Sequence, residues 1–204
     1  MNQQMLCTLI TWDKVDSLCR QLVGQLRKAN CQIDGIVAIG RGGYVPGRIL
    51  SDMLGIFDLT SFKIEHYQGA YKQHEAFVKY SLNTDISGRN ILLLDDVSDS
   101  GDTFAVALDH VMHCGTVKKL CTASLHFKTV STFIPDFYAE TVNEWRWLIY
   151  PWAVNEDLSS LITKMKLDNP DVRQLQRLFK QRHDINVTYC QIEDALVLLQ
   201  GEKK

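Results

Sequence analysis

From Thr11 onward the apolar positions recur at a helical period: Val15, Leu18, Leu22 and Leu26, with Cys19 and Val23 beside them, fall on one face, and Thr11 stands where a cap belongs. This pattern predicts an amphipathic helix. Residues 33–40, IDGIVAIG, form a β-branched run closed by glycine; RGG and YVPGRILSDMLG follow, with Pro46 suited to a helix start and Gly55 to its stop. A strand, a loop and a helix are expected. Residues 60–67 alternate as a strand does, whereas residues 68–80 are polar and aromatic without a clear period and read as a long mobile loop. The apolar run ILLL at residues 91–94 predicts a further strand. Phe104, Leu108, Val111 and Met112 then continue as a helix that Gly115 ends, and residues 120–127 give another apolar strand.

Strands separated by helical segments imply right-handed crossovers and an α/β fold, a mostly parallel sheet flanked by helices on both faces. Ligands of such sheets sit outside the carboxyl ends of the strands, so the site is expected on the loops after Ile39, Tyr67, Leu94 and Phe127. The pattern changes after Pro151. Asn155 suits a helix cap, Asn169-Pro170 a cap followed by proline at the first helical position, and Thr188-x-x-Gln191 a capping box. A helical C-terminal extension over residues 155–204 is expected beyond a core of residues 1–154, as an oligomerisation appendage or a small second module.

Composition narrows the classes. With 204 residues, 46% hydrophobic and 23% charged, the chain can bury one full core, and a net charge of -2 argues against a generally polybasic nucleic-acid binder. No membrane association is expected, since no charged leader precedes an apolar run and no stretch reaches about 18 uninterrupted apolar residues. A cytoplasmic location follows as an expectation. The six cysteines show no CxxC or zinc-ligand spacing and read as reduced thiols; His110, His113 and Cys114 read as helix-end residues rather than metal ligands.

The chemistry concentrates in ILLLDDVSDSGDTF, residues 91–104. Backbone N–H groups from Ser98 to Thr103, a helix N-terminus and the hydroxyls of Ser98, Ser100 and Thr103 make a phosphate cradle without a lysine. The P-loop pattern GxxxxGK(S/T) is absent, so nucleotide hydrolysis of that type is not indicated. Asp95 and Asp96, placed just before the cradle, can accept hydrogen bonds from a diol. A sugar phosphate satisfies both halves, with carboxylates on its hydroxyls and amides on its phosphate.

These residues carry a resemblance. LLLDDVSDSGDT (residues 92–103) resembles the phosphoribosyl-pyrophosphate (PRPP) motif of the type I phosphoribosyltransferases. TWDKVDSL, IVAIGRGGYVPGRIL, HFK and WLIYPW then appear in the order of the xanthine-guanine branch, so that the likeness runs from Thr8 to Trp152. The resemblance implies that family's fold with a small hood, and transfer of the phosphoribosyl group of PRPP to a 6-oxopurine (guanine, xanthine or hypoxanthine) in purine salvage. It implies that Asp95 and Asp96 bind the ribose hydroxyls, and that Ser98, Ser100, Gly101, Asp102 and Thr103 line the 5′-phosphate loop. Asp99 would exchange a proton with the purine N7. Arg41, Gly42 and Gly43 would bind pyrophosphate, with a cis peptide expected between Gly40 and Arg41. Lys128 would donate to the purine O6, Trp147 stack on the ring and main-chain groups around Leu148 read its edge.

Mg2+ is the implied cofactor, near Asp95 and Asp96 and reached through ribose hydroxyls or water. Residues 68–80 are expected to close as a lid, with Lys72 or Lys79 reaching the phosphates. PRPP and a free purine base are the expected partners, and a homo-oligomer is expected. The alternative is a PRPP- or nucleotide-sensing regulator of the same fold that binds nucleic acid through Arg173, Arg177 and Lys180 of the tail. An enzyme of this fold acting on orotate or uracil, or a structural relative lacking activity, is the third reading.

Overall fold

The computed structural model describes residues 5–66 and 76–201. In chain order the elements are β1 (Cys7–Leu9), α1 (Trp12–Lys28), β2 (Gly35–Ile39), α2 (Gly40–Leu54), β3 (Leu59–His66), β4 (Ala76–Tyr80), β5 (Asn90–Ser98), α3 (Asp102–Cys114), β6 (Lys119–Lys128), β7 (Phe137–Val142), β8 (Trp147–Ile149), α4 (Val154–Met165), α5 (Val172–His183) and α6 (Tyr189–Gly201). By packing, the chain divides into a unit of Asp13–Glu144 and a second unit drawn from both ends, before Asp13 and after Glu144.

The larger unit is the expected α/β fold. Six strands lie in the order β4-β3-β2-β5-β6-β7, all neighbours parallel except the antiparallel pair of β3 and β4. Alternation along the strands divides the core between the two faces. Val37, Ile39, Phe62, Ile91 and Leu93 join Phe104, Ala107 and Val111 of α3 in one buried cluster. On the opposite face Gly47 of α2 packs against Ala38, Leu59 and Leu94. Helix α1 buries the stripe that its periodicity predicts, Val15, Leu18, Cys19, Leu22, Val23 and Leu26. Gln25 donates to the Tyr138 carbonyl at 2.9 Å and Lys14 pairs with Glu140, which sets α1 along β7.

Several expected boundaries are corrected. Pro46 lies inside α2, which begins at Gly40, so the ring removes the bond that position would donate to the Gly42 carbonyl. Residues 76–80, expected as loop, are strand β4, where Glu65↔Phe77 pairing satisfies the backbone and Lys79 meets Glu65 at 2.9 Å. That ion pair places Lys79 on the sheet rather than on a lid. Residues 67–75 of the expected lid, Lys72 included, lie outside the described residues. His110, expected as a helix-end residue, accepts a hydrogen bond from the Leu82 N–H at 3.0 Å.

In the second unit β1 and β8 form a parallel two-stranded sheet, Cys7 opposite Trp147 and Leu9 opposite Ile149. Cys7 and Ile149 share one buried cluster with Leu158, Leu161, Leu175, Phe179 and Ile192, so the hood strands and the tail helices are built on one core. The Thr188 box forms as expected: Thr188 N–H donates to Gln191 Oε1 at 2.9 Å and Gln191 N–H to Thr188 Oγ1 at 3.2 Å. The other two caps shift. Asn155 falls within the first turn of α4, after Ala153, and Asp171 rather than Asn169 caps α5 by accepting from Gln174 N–H at 2.7 Å. Lys180 of α5 is held by Asp184 at 2.9 Å. No helix among the described residues is long and apolar enough to cross a membrane.

Candidate active site

The strand order reverses between β2 and β5, and such a switch point opens a crevice at the carboxyl ends of the two strands. β2 pairs with β5 only along residues 91–94, while β5 continues beside β6 as far as Ser98 opposite Phe127. Asp95 and Asp96 therefore do not end the strand, as the sequence suggests, but sit within it where it parts from β2. The first turn of α2 fills the gap they leave. A Cβ on Gly43 would stand 2.2 Å from the Leu94 carbonyl oxygen, and one on Gly42 would stand 2.6 Å from Asp96 Oδ2. Only glycine allows this approach.

The two aspartates differ in setting. Asp95 is 8% exposed and accepts N–H groups from Asp96, at 2.9 Å, and from Gly43. Burial, reinforced by the Asp96 charge, pushes its carboxyl well above the usual range; the two N–H bonds work against that rise. Asp95 thus fastens the glycine turn to the sheet. Asp96 is half-buried, with its carboxylate against Gly42. The expected cis bond between Gly40 and Arg41 is corrected: among the described residues the peptides are trans, and Gly40 makes the turn with a φ of +48°. A trans link avoids the ~3 kcal/mol that a cis bond costs outside proline. Ile39 gives α2 no side-chain cap, so the first-turn N–H groups ahead of Gly43, whose own N–H goes to Asp95, are the donors that an anion can take. Arg41 with Tyr44, Ser61, Lys63 and Tyr80 lines a cavity of about 420 Å³ beside this turn.

Beyond Asp96 the cradle is braced from a segment that the sequence reading missed, the turn after β6. Gly101 adopts a φ of +100° at the start of α3, and a Cβ there would stand 2.6 Å from Thr132 Oγ1 and 2.7 Å from the Phe133 nitrogen. Thr132 donates to the Ser100 carbonyl through its N–H at 2.9 Å and its hydroxyl at 2.8 Å. Ser98 is 1% exposed and donates to the Phe133 carbonyl at 2.8 Å, while the Ser100 hydroxyl donates to Asp102 at 2.9 Å. Thr103 Oγ1 lies 3.2 Å from Nε2 of His66, at the end of β3. Read as equivalents in the sequence, these hydroxyls have separate partners. The run TVSTF after HFK carried the available signal, since clustered Ser and Thr past a strand commonly bond the backbone.

Asp99, on the loop between β5 and α3, meets Lys128 at the end of β6, with Lys128 Nζ 2.7 Å from Asp99 Oδ2. The side chain of Lys128 is 1% exposed and that of Asp99 35%, so a buried ammonium is presented beside a partly open carboxylate. Two residues earlier on β6, His126 is buried, and burial pushes its imidazole down to about 4; Glu140 opposes the shift, and the charges of Lys14 and Lys128 add to it. His126 is therefore uncharged near neutral pH. The structure thus brings together Asp95, Asp96, Gly42 and Gly43 where β5 parts from β2, and Asp99 with Lys128 just beyond the end of β5. Trp147 and Leu148 stand on β8 of the second unit, Trp147 37% exposed and Leu148 buried.

The profile of the phosphoribosyl transferase domain matches residues 10–157. The xanthine-guanine phosphoribosyltransferase of Vibrio atlanticus (strain LGP32) is 31% identical over 144 residues, covering 71% of this chain and 87% of that relative. Among solved structures, a purine phosphoribosyltransferase from Pyrococcus horikoshii OT3 superposes with a TM-score of 0.63 at 28% identity, covering 71% of this chain and 93% of its own. A Neisseria gonorrhoeae protein solved with bound ppGpp superposes with a TM-score of 0.65 at 26% identity, covering 74% and 91%.

Proposed function

The chain belongs to the phosphoribosyl transferase domain family, and from that premise we propose that it transfers the phosphoribosyl group of PRPP to a 6-oxopurine in purine salvage. The products are a nucleoside monophosphate and pyrophosphate. Its 31% identical relative acts on xanthine and guanine by name, and the Pyrococcus structure is a purine enzyme, which supports the base class. The observation that carries the reading within this chain is the Asp99 to Lys128 pair at 2.7 Å beside the phosphate cradle. A 6-oxopurine carries an acceptor, O6, next to N7. An ammonium has three donors, so Lys128 can hold Asp99 and donate to O6, while Asp99 takes the N7 proton.

In the reaction a purine ring nitrogen bonds to the anomeric carbon as the bond from that carbon to pyrophosphate breaks, and the proton lost from the purine goes to Asp99. Positive charge develops on the ribose ring in the transition state. Asp96 lies beside the glycine turn, where it can hold the ribose hydroxyls and add a negative field near that charge. Asp95, already accepting two backbone N–H groups, positions Asp96 and Gly43. Arg41 and the first-turn N–H groups of α2 receive the pyrophosphate. Gly101 to Thr103 receive the 5′-phosphate.

Magnesium would be held mainly by PRPP oxygens, with Asp96 able to reach it through ribose hydroxyls or water, as suits a hard cation. When bound, the ion neutralises charge on the leaving pyrophosphate.

Asp99→Asn tests the assignment. Its turnover should fall by roughly a hundredfold or more, with the Michaelis constant for PRPP little changed, because the sugar and phosphate contacts lie on other residues. Wild-type turnover in the variant would remove Asp99 from proton transfer.

A further inference from the structure

Of the three hydroxyls in the cradle, that of Ser98 is buried on the Phe133 carbonyl and that of Ser100 is turned to Asp102, which leaves Thr103 as the hydroxyl best placed for a phosphate. Its partner, at 3.2 Å, is the imidazole Nε2 of His66. His66 is exposed and comes from β3, not from the cradle or the helix that follows it. A hydroxyl donates only one hydrogen. If Thr103 gave that hydrogen to His66, its oxygen would face a phosphate with lone pairs alone; if it accepts from His66, its hydrogen is available to a phosphate oxygen.

We propose that His66 is a positioning residue for the 5′-phosphate: Nε2–H donates to Thr103 Oγ1 and thereby aims the threonine hydrogen at the ligand. This rests on the reading of the cradle as a PRPP site and adds to it a residue outside the loop. The arrangement also ties the end of β3 to the start of α3, so the donor is in place before the ligand arrives. Pre-set donors of this kind avoid the cost of ordering them on binding.

The test uses the full-length protein with ribose 5-phosphate as probe and inorganic pyrophosphate as control. His66→Phe keeps an aromatic ring without a donor, and His66→Gln restores an N–H at a similar reach. His66→Phe should weaken ribose 5-phosphate binding by about fivefold, the order expected for one neutral hydrogen bond, and His66→Gln should recover most of it. Pyrophosphate binding should not change in either variant, because that ligand is assigned to the α2 turn. Combined with Thr103→Val, the His66→Phe substitution should cause no further loss, since the hydroxyl that it orients is gone.

Unchanged ribose 5-phosphate binding in His66→Phe overturns the proposal, as does full additivity with Thr103→Val, or equal weakening of pyrophosphate. Failure of the wild-type protein itself to bind ribose 5-phosphate would strike the reading of the cradle, and the proposal with it. His66 is exposed, so both variants should fold, and circular dichroism melting checks that they do.

Discussion

Replacing His126 by glutamine should change how stability depends on pH more than stability near neutrality. The imidazole is buried on β6, and its native value stands at about 4 against an ordinary 6.5. Between those values the unfolded chain takes a proton that the native protein refuses. Stability is therefore fully present above pH 6.5, falls as pH drops through the window, and ceases to fall on this account below about 4. The gap between 6.5 and 4 at 1.36 kcal/mol per pH unit gives about 3 kcal/mol. His126→Gln has no such proton to refuse. Urea unfolding of both proteins at a series of pH values from about 7 to about 4 measures the effect, and carboxylates that do not face His126, as Glu140 does, cancel in the difference. Relative to wild type, the variant should gain about 3 kcal/mol on going down that range. A difference that stays constant with pH would refute the reasoning, because it would mean that His126 protonates as easily in the native state as in the unfolded chain.

Gly43→Ala should lose roughly 1–3 kcal/mol in urea unfolding, since the added methyl meets the Leu94 carbonyl oxygen at 2.2 Å and backbone must move to admit it. The same variant should bind pyrophosphate poorly. Lys128→Ala should raise the Michaelis constant for the base far more than that for PRPP, as steady-state kinetics with each substrate varied will show, because the ammonium lies against Asp99 rather than within the phosphate cradle.

Where a pattern is local and repeated, the sequence carried it into the fold. The buried face of α1 follows from a period of 3.6, and the Thr188 box from two side chains three residues apart. Parallel pairing is not local: β1 and β8 are three-residue strands that pair across most of the chain, and neither has an alternation long enough to read. β7 escaped for a related reason, since its half-buried residues do not stand out as an apolar run. Motif identity placed Asp95, Asp96, Asp99 and Gly101 near one another but could not separate their settings. That separation depends on Gly43 and on the turn at Thr132 and Phe133, which reach the motif from distant parts of the chain. His66 was invisible for the same reason: only the order of β3 and α3 in space brings it to Thr103.

The central claim, transfer from PRPP to a 6-oxopurine, is tested most directly by following pyrophosphate release from PRPP with magnesium in the presence of guanine, xanthine, hypoxanthine, adenine, orotate, uracil or no base. Under the proposal that Lys128 faces the 6-position, its buried ammonium favours a carbonyl acceptor and opposes an amino group. Release should therefore depend on one or more of the three 6-oxopurines, with matching formation of the nucleoside monophosphate, and adenine, orotate and uracil should give little above the base-free rate. Adenine or a pyrimidine as the best acceptor, or no base-dependent release at all, would contradict it.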